Sequence, residues 1–251
     1  MQKNVCLIVP CFNEAHRLDL PAFEKATATP GLWIVFVDDG STDGTAALVR
    51  GHCSERIYLV QLERNSGKAE AVRQGMLRAA TLPFFAGLDW IGYWDADLST
   101  PVWEIPNFLR YQAFCGVDAD AIIGSRVARL GSDIRRSLLR HAVSRVFVTV
   151  ASLWLGIKAY DSQCGAKLIR PTLVTRCFGD PFVTRWLFDI EILLRLGEAS
   201  VLEYPLKSWH DVGGSKLKLL PSLWRTPRDL FRVKRTYGRK TAGHAGSSGG
   251  D

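Results

Sequence analysis

Trp90-Ile91-Gly92-Tyr93-Trp94-Asp95-Ala96-Asp97 is an unbroken apolar run that stops on two carboxylates one residue apart. Apolar on both alternating sides, it reads as a strand buried between two layers, as in a parallel sheet, rather than as a strand with one wet face. Toward the N-terminus the same pattern recurs three times. Val5–Val9 runs into Pro10-Cys11-Phe12-Asn13-Glu14, Leu32–Val37 into Asp38-Asp39-Gly40-Ser41-Thr42-Asp43-Gly44, and Ile57–Leu62 is followed by Arg64-Asn65-Ser66-Gly67-Lys68-Ala69. Helix-like stretches separate the runs: Glu14–Ala28, Asp43–Cys53 behind a cap-like Ser41-Thr42-Asp43, and Lys68–Ala80 with Ala69, Val72 and Met76 on one side. This βαβαβαβ rhythm predicts an α/β fold, a mostly parallel central sheet flanked by helices.

Beyond Asp97 the pattern loosens. Pro101–Cys115 reads as a helix, Ala121–Gly124 as a short strand, and Ile134–Leu155 as a long helix with Arg on one side and Val, Phe, Leu and Trp on the other. Lys167–Ile169 and Val201–Tyr204 read as strands and Arg185–Leu196 as a helix, while Pro221 and Pro227 are expected to break the segment beyond. The tail Thr241–Asp251 has nothing apolar to bury and is expected to be disordered, leaving residues 1–240 as one domain. Its G-x-S-x-G match at Gly246–Gly250 lacks the strand-to-helix elbow that gives that motif meaning.

Composition narrows the class. The chain has 251 residues, 47% hydrophobic and 23% charged, which excludes wholesale disorder and fibrous repeats. Six scattered cysteines with no CxxC pair argue against a disulfide framework or a structural zinc and suit a reducing compartment. Val5–Val9 is too short for a signal h-region, and the longest apolar run, Val146–Ile157, covers 12 residues where about 20 are needed to span a bilayer. A cytosolic protein, soluble or peripheral on a membrane, is therefore expected.

The net charge of +7 is unevenly spread. Residues 126–145 carry +5 and residues 216–240 carry +8, so the remainder is net negative. Two late cationic segments suit an anionic partner: phosphate-bearing lipid, a membrane surface or nucleic acid. A solvated helix face is the bland alternative for either one.

In an open parallel sheet, ligands sit beyond the carboxyl ends of the strands, so the four post-strand segments should converge on one edge. Asp95 and Asp97 repel each other unless a cation lies beside them, and hard oxygen ligands with open positions suit Mg²⁺ or Mn²⁺ bridging to substrate phosphate. A solvated acidic turn is the alternative reading. Asp38 and Asp39 are placed to accept hydrogen bonds from a base or ribose, and Gly67-Lys68 opens a helix whose N–H groups and ammonium favour a diphosphate. Neither GxGxxG nor GxxxxGK[ST] occurs. His16, His52, His141, His210 and His244 show no metal-ligand spacing.

The ordered set VPCFNE, VDDGSTDGT, NSGKAEAV, YWDADLSTP and GSR resembles the family 2 glycosyltransferases, which have the GT-A fold. The segments Asp161–Lys167 (DSQCGAK), Phe188–Glu191 (FDIE) and Trp209–Leu217 (WHDVGGSKL) are similar to the polyprenyl-phosphate branch that includes the dolichyl-phosphate β-glucosyltransferases. The resemblance implies inverting transfer of one sugar from a nucleotide diphosphate sugar, UDP-glucose first, to a polyprenyl phosphate. It puts Pro10, Asn13, Glu14, Asp39 and Lys68 at nucleotide contacts, beside Asp38, Gly40, Asn65, Gly67 and Ala96. It puts Asp95 near ribose and metal, Asp97 on the metal, Arg126 on a phosphate, and Asp161 near sugar and acceptor. Ser215 and Lys216 join Arg126 as acceptor-phosphate candidates. Leu98-Ser99-Thr100 stands where mannose synthases often have Leu-Gln-Asp, which removes one protein ligand that those enzymes offer the metal.

Asp189 and Glu191, two apart in a helix pattern, point to different sides and cannot both face the site. The Ile134–Leu155 and 216–240 segments have the composition of membrane-surface elements able to guide a lipid phosphate to Arg126. Three rival readings remain at this stage: the same fold with a saccharide hydroxyl as acceptor, a catalytically silent nucleotide-sugar binder, and a nucleic-acid-binding protein using the basic tail. The reading adopted predicts no nucleic-acid partner.

Overall fold

The computed structural model describes residues 3–135, 149–212 and 219–242, with side chains of the last stretch described over 227–238. Among these residues the strands are β1 (Val5–Cys11), β2 (Leu32–Asp38), β3 (Ile57–Gln61), β4 (Trp90–Trp94), β5 (Ala121–Ser125), β6 (Asp133–Arg135), β7 (Ala166–Ile169), β8 (Val201–Pro205) and β9 (Ser208–His210). The helices are α1 (Leu20–Thr27), α2 (Thr45–Arg50), α3 (Lys68–Ala79), α4 (Ile105–Cys115), α5 (Val174–Phe178), α6 (Phe188–Leu196) and α7 (Leu219–Ala242), and residues 149–155 are also helical.

Seven strands form one sheet in the order β3-β2-β1-β4-β7-β5-β8. The pairs β3–β2, β2–β1, β1–β4 and β5–β8 are parallel, and β7 runs antiparallel to both β4 and β5. The mostly parallel sheet read from the apolar runs is therefore present, with one reversed strand, β7, inside it. Alternate residues feed two layers. Leu7, Ile34, Trp90 and Trp94 pack with Phe23 of α1 and Phe108 of α4. Ile8, Val35, Ile91 and Tyr93 pack with Val72 and Met76 of α3 and Phe188 and Ile192 of α6. Full burial of each such side chain is worth about 1.5–3 kcal/mol.

Two helices start later than their polar leaders imply. Asp19 accepts from Ala22 N at 3.1 Å and Pro21 occupies the first turn, so α1 begins at Leu20 rather than Glu14. Asp43 accepts from Thr45 N at 3.1 Å and Gly44 is the N-cap, so Asp43 precedes α2 instead of opening it.

Three expectations are corrected. Residues 133–135 are a strand, not the start of a long helix: β6 pairs with β9 in a second, two-stranded sheet, Ile134 beside Trp209, and both pack on the core. Pro227 does not end a helix. Leu230, Val233 and Tyr237 of α7 pack with Ala151, Leu155, Leu187 and Ile190, and this burial offsets the lost backbone bond. Pro221 likewise lies inside α7, in its first turn, where a proline is tolerated. The expectations for 136–148, for Ser215 and Lys216 and for the tail beyond 242 fall outside the described residues.

Candidate active site

Because β1 to β4 are parallel neighbours, their carboxyl ends open on one edge, and side-chain-to-backbone bonds stitch the loops together. Asn13, in a left-handed conformation at φ 52°, donates its N–H to Ser41 Oγ (2.8 Å) and accepts from Thr42 N (2.8 Å). Glu14 N donates to Thr45 Oγ1 at 2.8 Å and Ala15 N to Asp43 Oδ2 at 3.1 Å. Asp39 joins the second loop to the third, accepting from Ser66 N and Gly67 N, each at 2.7 Å. Burial nonetheless pushes the Asp39 carboxyl above its ordinary range, against the pull of those two donors. Asp38 is buried beside it, and its Oδ1 accepts no hydrogen bond among the described residues. A buried carboxylate oxygen in that state calls for a donor from water or a ligand.

Gly67 caps α3 at φ 94° and ψ 157°, a conformation reserved for glycine, and a Cβ there would lie 2.7 Å from Arg185 Nε. Arg185 Nη2 also donates to Asn65 Oδ1 at 3.1 Å. A cation from the approach to α6 thus covers the Asn65–Gly67 loop.

The acidic pair closes the row. Asp97 Oδ1 accepts from Ser99 N at 3.0 Å across a turn in which Leu98 takes φ 52°, unusual for a branched side chain. Asp95, one-third exposed at its side chain, is ion-paired with Lys68. Burial opposes a charged Lys68, yet the Asp95 and Asp189 carboxylates hold its ammonium above the ordinary range. Asp95 N donates to Gly165 O at 3.1 Å, and a Cβ at Gly165 would fall 1.9 Å from Asp95 Oδ2. Only glycine leaves that carboxylate its seat. Ala96, between the two carboxylates, points into the core. Arg17 adds a third cation. It grips Glu14 (Nη2 to Oε1, 2.7 Å), lies within electrostatic reach of Asp97 and Asp95, and its buried Nη1 has no partner among the described residues. Glu14 is therefore engaged by Arg17.

Across the edge, at the end of β5, Arg126 and Asp161 form a two-point ion pair, Nε–Oδ2 2.7 Å and Nη2–Oδ1 2.8 Å. Although burial acts against both charges, Arg126 holds the Asp161 carboxyl below its ordinary range, and Asp161 holds the guanidinium well above its own. Trp209 of β9 lies 5.4 Å from the guanidinium, in cation–π contact. Glu203 accepts from Tyr160 N and Asp161 N, each at 2.8 Å. Buried Glu104 fixes the β8–β9 turn, accepting from Tyr204 OH (2.9 Å), Lys207 N (3.1 Å) and Ser208 N (3.0 Å). Burial pushes the neighbouring Cys164 thiol up to about 12, so it holds no thiolate at neutral pH.

Asn13, Glu14, Asp38, Asp39, Gly40, Asn65, Gly67, Lys68, Asp95 and Asp97 thus share one edge with Pro10, the penultimate residue of β1, while Arg126 and Asp161 meet each other on its flank. Asp189 and Glu191 do point apart: Asp189 receives Lys167 and Tyr93, whereas Glu191 receives Val183 N, Thr184 N and Tyr237 OH. Arg17, Arg185, Glu104, Glu203 and Trp209 escape sequence reading because their partners are set by chain crossings, although Arg17 lies three residues from Glu14. Among the described residues no group of three or more His, Cys, Asp or Glu is disposed to hold a metal ion.

The family described as Glycosyl transferase family 2 matches residues 6–178. The dolichyl-phosphate beta-glucosyltransferase of Drosophila melanogaster is 32% identical, covering 90% of this chain and 73% of that protein. That of Saccharomyces cerevisiae is 29% identical, covering 92% and 74%. Among solved structures, mannosyl-3-phosphoglycerate synthase from Rubrobacter xylanophilus superposes with a TM-score of 0.65 at 17% identity, covering 94% of this chain and 75% of that one. Glucosyl-3-phosphoglycerate synthase from Mycobacterium tuberculosis, solved with Mn²⁺, uridine-diphosphate and phosphoglyceric acid, gives 0.62 at 18% identity, covering 94% and 78%. Those structural likenesses concern the fold, which is GT-A. The family match over residues 6–178, together with the 32% identity to the fly protein, makes this chain a glycosyltransferase that belongs to family 2.

Proposed function

We propose that the chain transfers a hexose, glucose first, from its UDP form to a polyprenyl phosphate with inversion, working as a single domain over residues 1–240. The observation that carries this reading is the convergence of Asp38, Asp39, the Asn65–Lys68 loop and the Asp95/Asp97 pair on one sheet edge, with Arg126 alongside. The names of the fly and yeast relatives support the lipid acceptor and the glucose. A hydroxyl acceptor is the competing outcome.

Asp38 Oδ1 is the acceptor offered to a base or ribose donor, and the start of α3 with Lys68 faces the diphosphate. Mg²⁺ or Mn²⁺ fits Asp97 and Asp95. Two carboxylates are too few for an all-protein cage and suit an ion that completes its shell with diphosphate oxygens and water. When bound, such an ion neutralises charge on the departing diphosphate. Lys68 stabilises the same charge from the protein side. The acceptor phosphate, with a second pKa of about 6, is largely ionised at neutral pH and needs little help from a general base. Asp161, held anionic and clasped by Arg126, therefore orients the guanidinium for an anionic oxygen rather than taking a proton.

Lipid access has support on the flank. Leu153 is 80% exposed and Phe231 60%, Val150 and Trp154 are exposed near them, and Lys234 Nζ donates to Trp154 O at 2.8 Å. Arg228, Arg232 and Arg235 are exposed on the same helix as Phe231. Exposed apolar side chains on two packed helices, one of which also carries exposed arginines, suit peripheral docking on the cytosolic leaflet. Among the described residues no helix is long and apolar enough to cross a membrane.

The deciding experiment supplies radiolabelled UDP-glucose, Mn²⁺ and a short polyprenyl phosphate. Label in an organic-extractable product that mild acid releases is the expected result. Label only in water-soluble saccharide overturns the lipid acceptor, and no transfer from any nucleotide sugar overturns the enzyme reading.

A further inference from the structure

Three polar side chains lie sealed behind the acidic pair. Lys167 on β7 is 1% exposed, and Tyr93 on β4 and Asp189 on α6 are also buried. The Lys167 ammonium spends all three of its N–H bonds inside the protein: on Cys164 O at 2.6 Å, Asp189 Oδ1 at 2.5 Å and Tyr93 OH at 2.9 Å. Tyr93 OH in turn donates to the same Asp189 oxygen.

Stability is a poor reason for this arrangement. Buried ion pairs replaced whole by apolar side chains of similar volume are often neutral or stabilising. What the group touches is more informative. Tyr93 stands on β4, two residues before Asp95, which directly follows the strand. Cys164, whose carbonyl Lys167 holds, precedes Gly165, the residue pressed against the Asp95 carboxylate. The group therefore grips both the strand that leads into Asp95 and the wall behind it. Its reach extends to Lys68, which lies 5.9 Å from the ring centroids of Tyr93 and of Phe188, the neighbour of Asp189.

We infer that Lys167, Asp189 and Tyr93 form a buried positioning unit that sets where the Asp95 carboxylate stands, and thereby the affinity for a divalent cation with a nucleoside diphosphate. All three are buried, so the unit acts through Asp95 rather than on substrate. The inference rests on the proposed function only in taking Asp95 as part of a cation–diphosphate site. Outer-shell partners of metal-binding groups typically govern about 10- to 100-fold in affinity, which sets the size of the effect.

The test compares the full chain with a triple variant, Lys167→Met, Tyr93→Phe and Asp189→Leu, which removes the polar unit while keeping its volume. Calorimetric titration of UDP at a series of Mn²⁺ concentrations is the readout, with the melting transition measured alongside. The triple variant is expected to melt cooperatively near the native chain yet to need about 10- to 100-fold more Mn²⁺ for half-maximal UDP binding. A folded triple variant with native Mn²⁺ dependence overturns the inference alone. A native chain without Mn²⁺-dependent UDP binding overturns the proposed function itself, so the two failures are distinguishable. If the triple variant does not fold, Tyr93→Phe decides: a shift of the Mn²⁺ midpoint by about threefold or more sustains the inference, and an unchanged midpoint overturns it.

Discussion

Arg126 and Asp161, 35 residues apart in sequence, meet in a two-point ion pair with both contacts below 2.9 Å, and Trp209 lies against the guanidinium. Each of the two is the other's partner, so neither can be altered without changing the second. Arg126→Met leaves the largely buried Asp161 carboxylate without its counter-ion and should cost about 3 kcal/mol, read from urea denaturation. Turnover should fall by about 100-fold or more while UDP affinity stays within about threefold. Unchanged kinetics would remove Arg126 from the acceptor side.

The same pair sets a pH dependence. Arg126 holds the Asp161 carboxyl below its ordinary value of about 3.9. A carboxyl with a depressed folded-state pKa contributes stability that is complete above the unfolded value and disappears as pH falls through the folded one. Denaturation at pH 7, 4 and 2.5 should therefore show a steeper acid loss for the native chain than for Asp161→Asn. Parallel curves would count against the ion pair.

At the acidic edge, Asp97→Ala should abolish both turnover and Mn²⁺-dependent UDP binding. The melting temperature should barely change, because the hydrogen bond that this side chain makes among the described residues is a local one, from Ser99 N. Full activity in this variant would eliminate the cation site.

Arg185 lies against Gly67 and bonds Asn65, on the loop assigned to the donor diphosphate. Arg185→Ala should raise the donor KM about 10-fold, the worth of one charge-assisted hydrogen bond, with kcat less affected. Gly67→Ala should be destabilising by about 1–3 kcal/mol, because its φ of 94° is strained for any L side chain. A donor KM unmoved in Arg185→Ala would show that this arginine only braces the loop.

Vesicles test the flank. Binding to anionic vesicles should weaken as salt is raised and fall further in Leu153→Ser combined with Phe231→Ser, two exposed positions outside the core. Equal sedimentation of native chain and variant would dismiss this face as the docking surface.

Much of this molecule is legible in its sequence where a continuous apolar run is followed at once by polar residues. Trp90–Trp94 falls on its strand residue for residue, and the loops after β1 to β4 converge because parallel strands leave them no other edge. Short or crossing features escape. β6 and β9 are three residues each, shorter than any period that could reveal them. The direction of β7 depends on the connection that delivers it, which no local pattern encodes. Helix α7 passes Pro227 because Leu230, Val233 and Tyr237 find partners on helices far away in sequence. Lys167 resembles any strand lysine until Asp189 and Tyr93 close around it.

The reversed strand β7 has a consequence for biogenesis. β4 and β5 do not pair with each other; each pairs with β7. A nascent polypeptide still short of Ala166 therefore leaves β4 and β5 without the neighbour they share, and the open edge of β4 leads straight to Asp95. Chains truncated ahead of that point should aggregate through those edges rather than acquire donor binding, so the reaction centre is assembled only after β7 has been made.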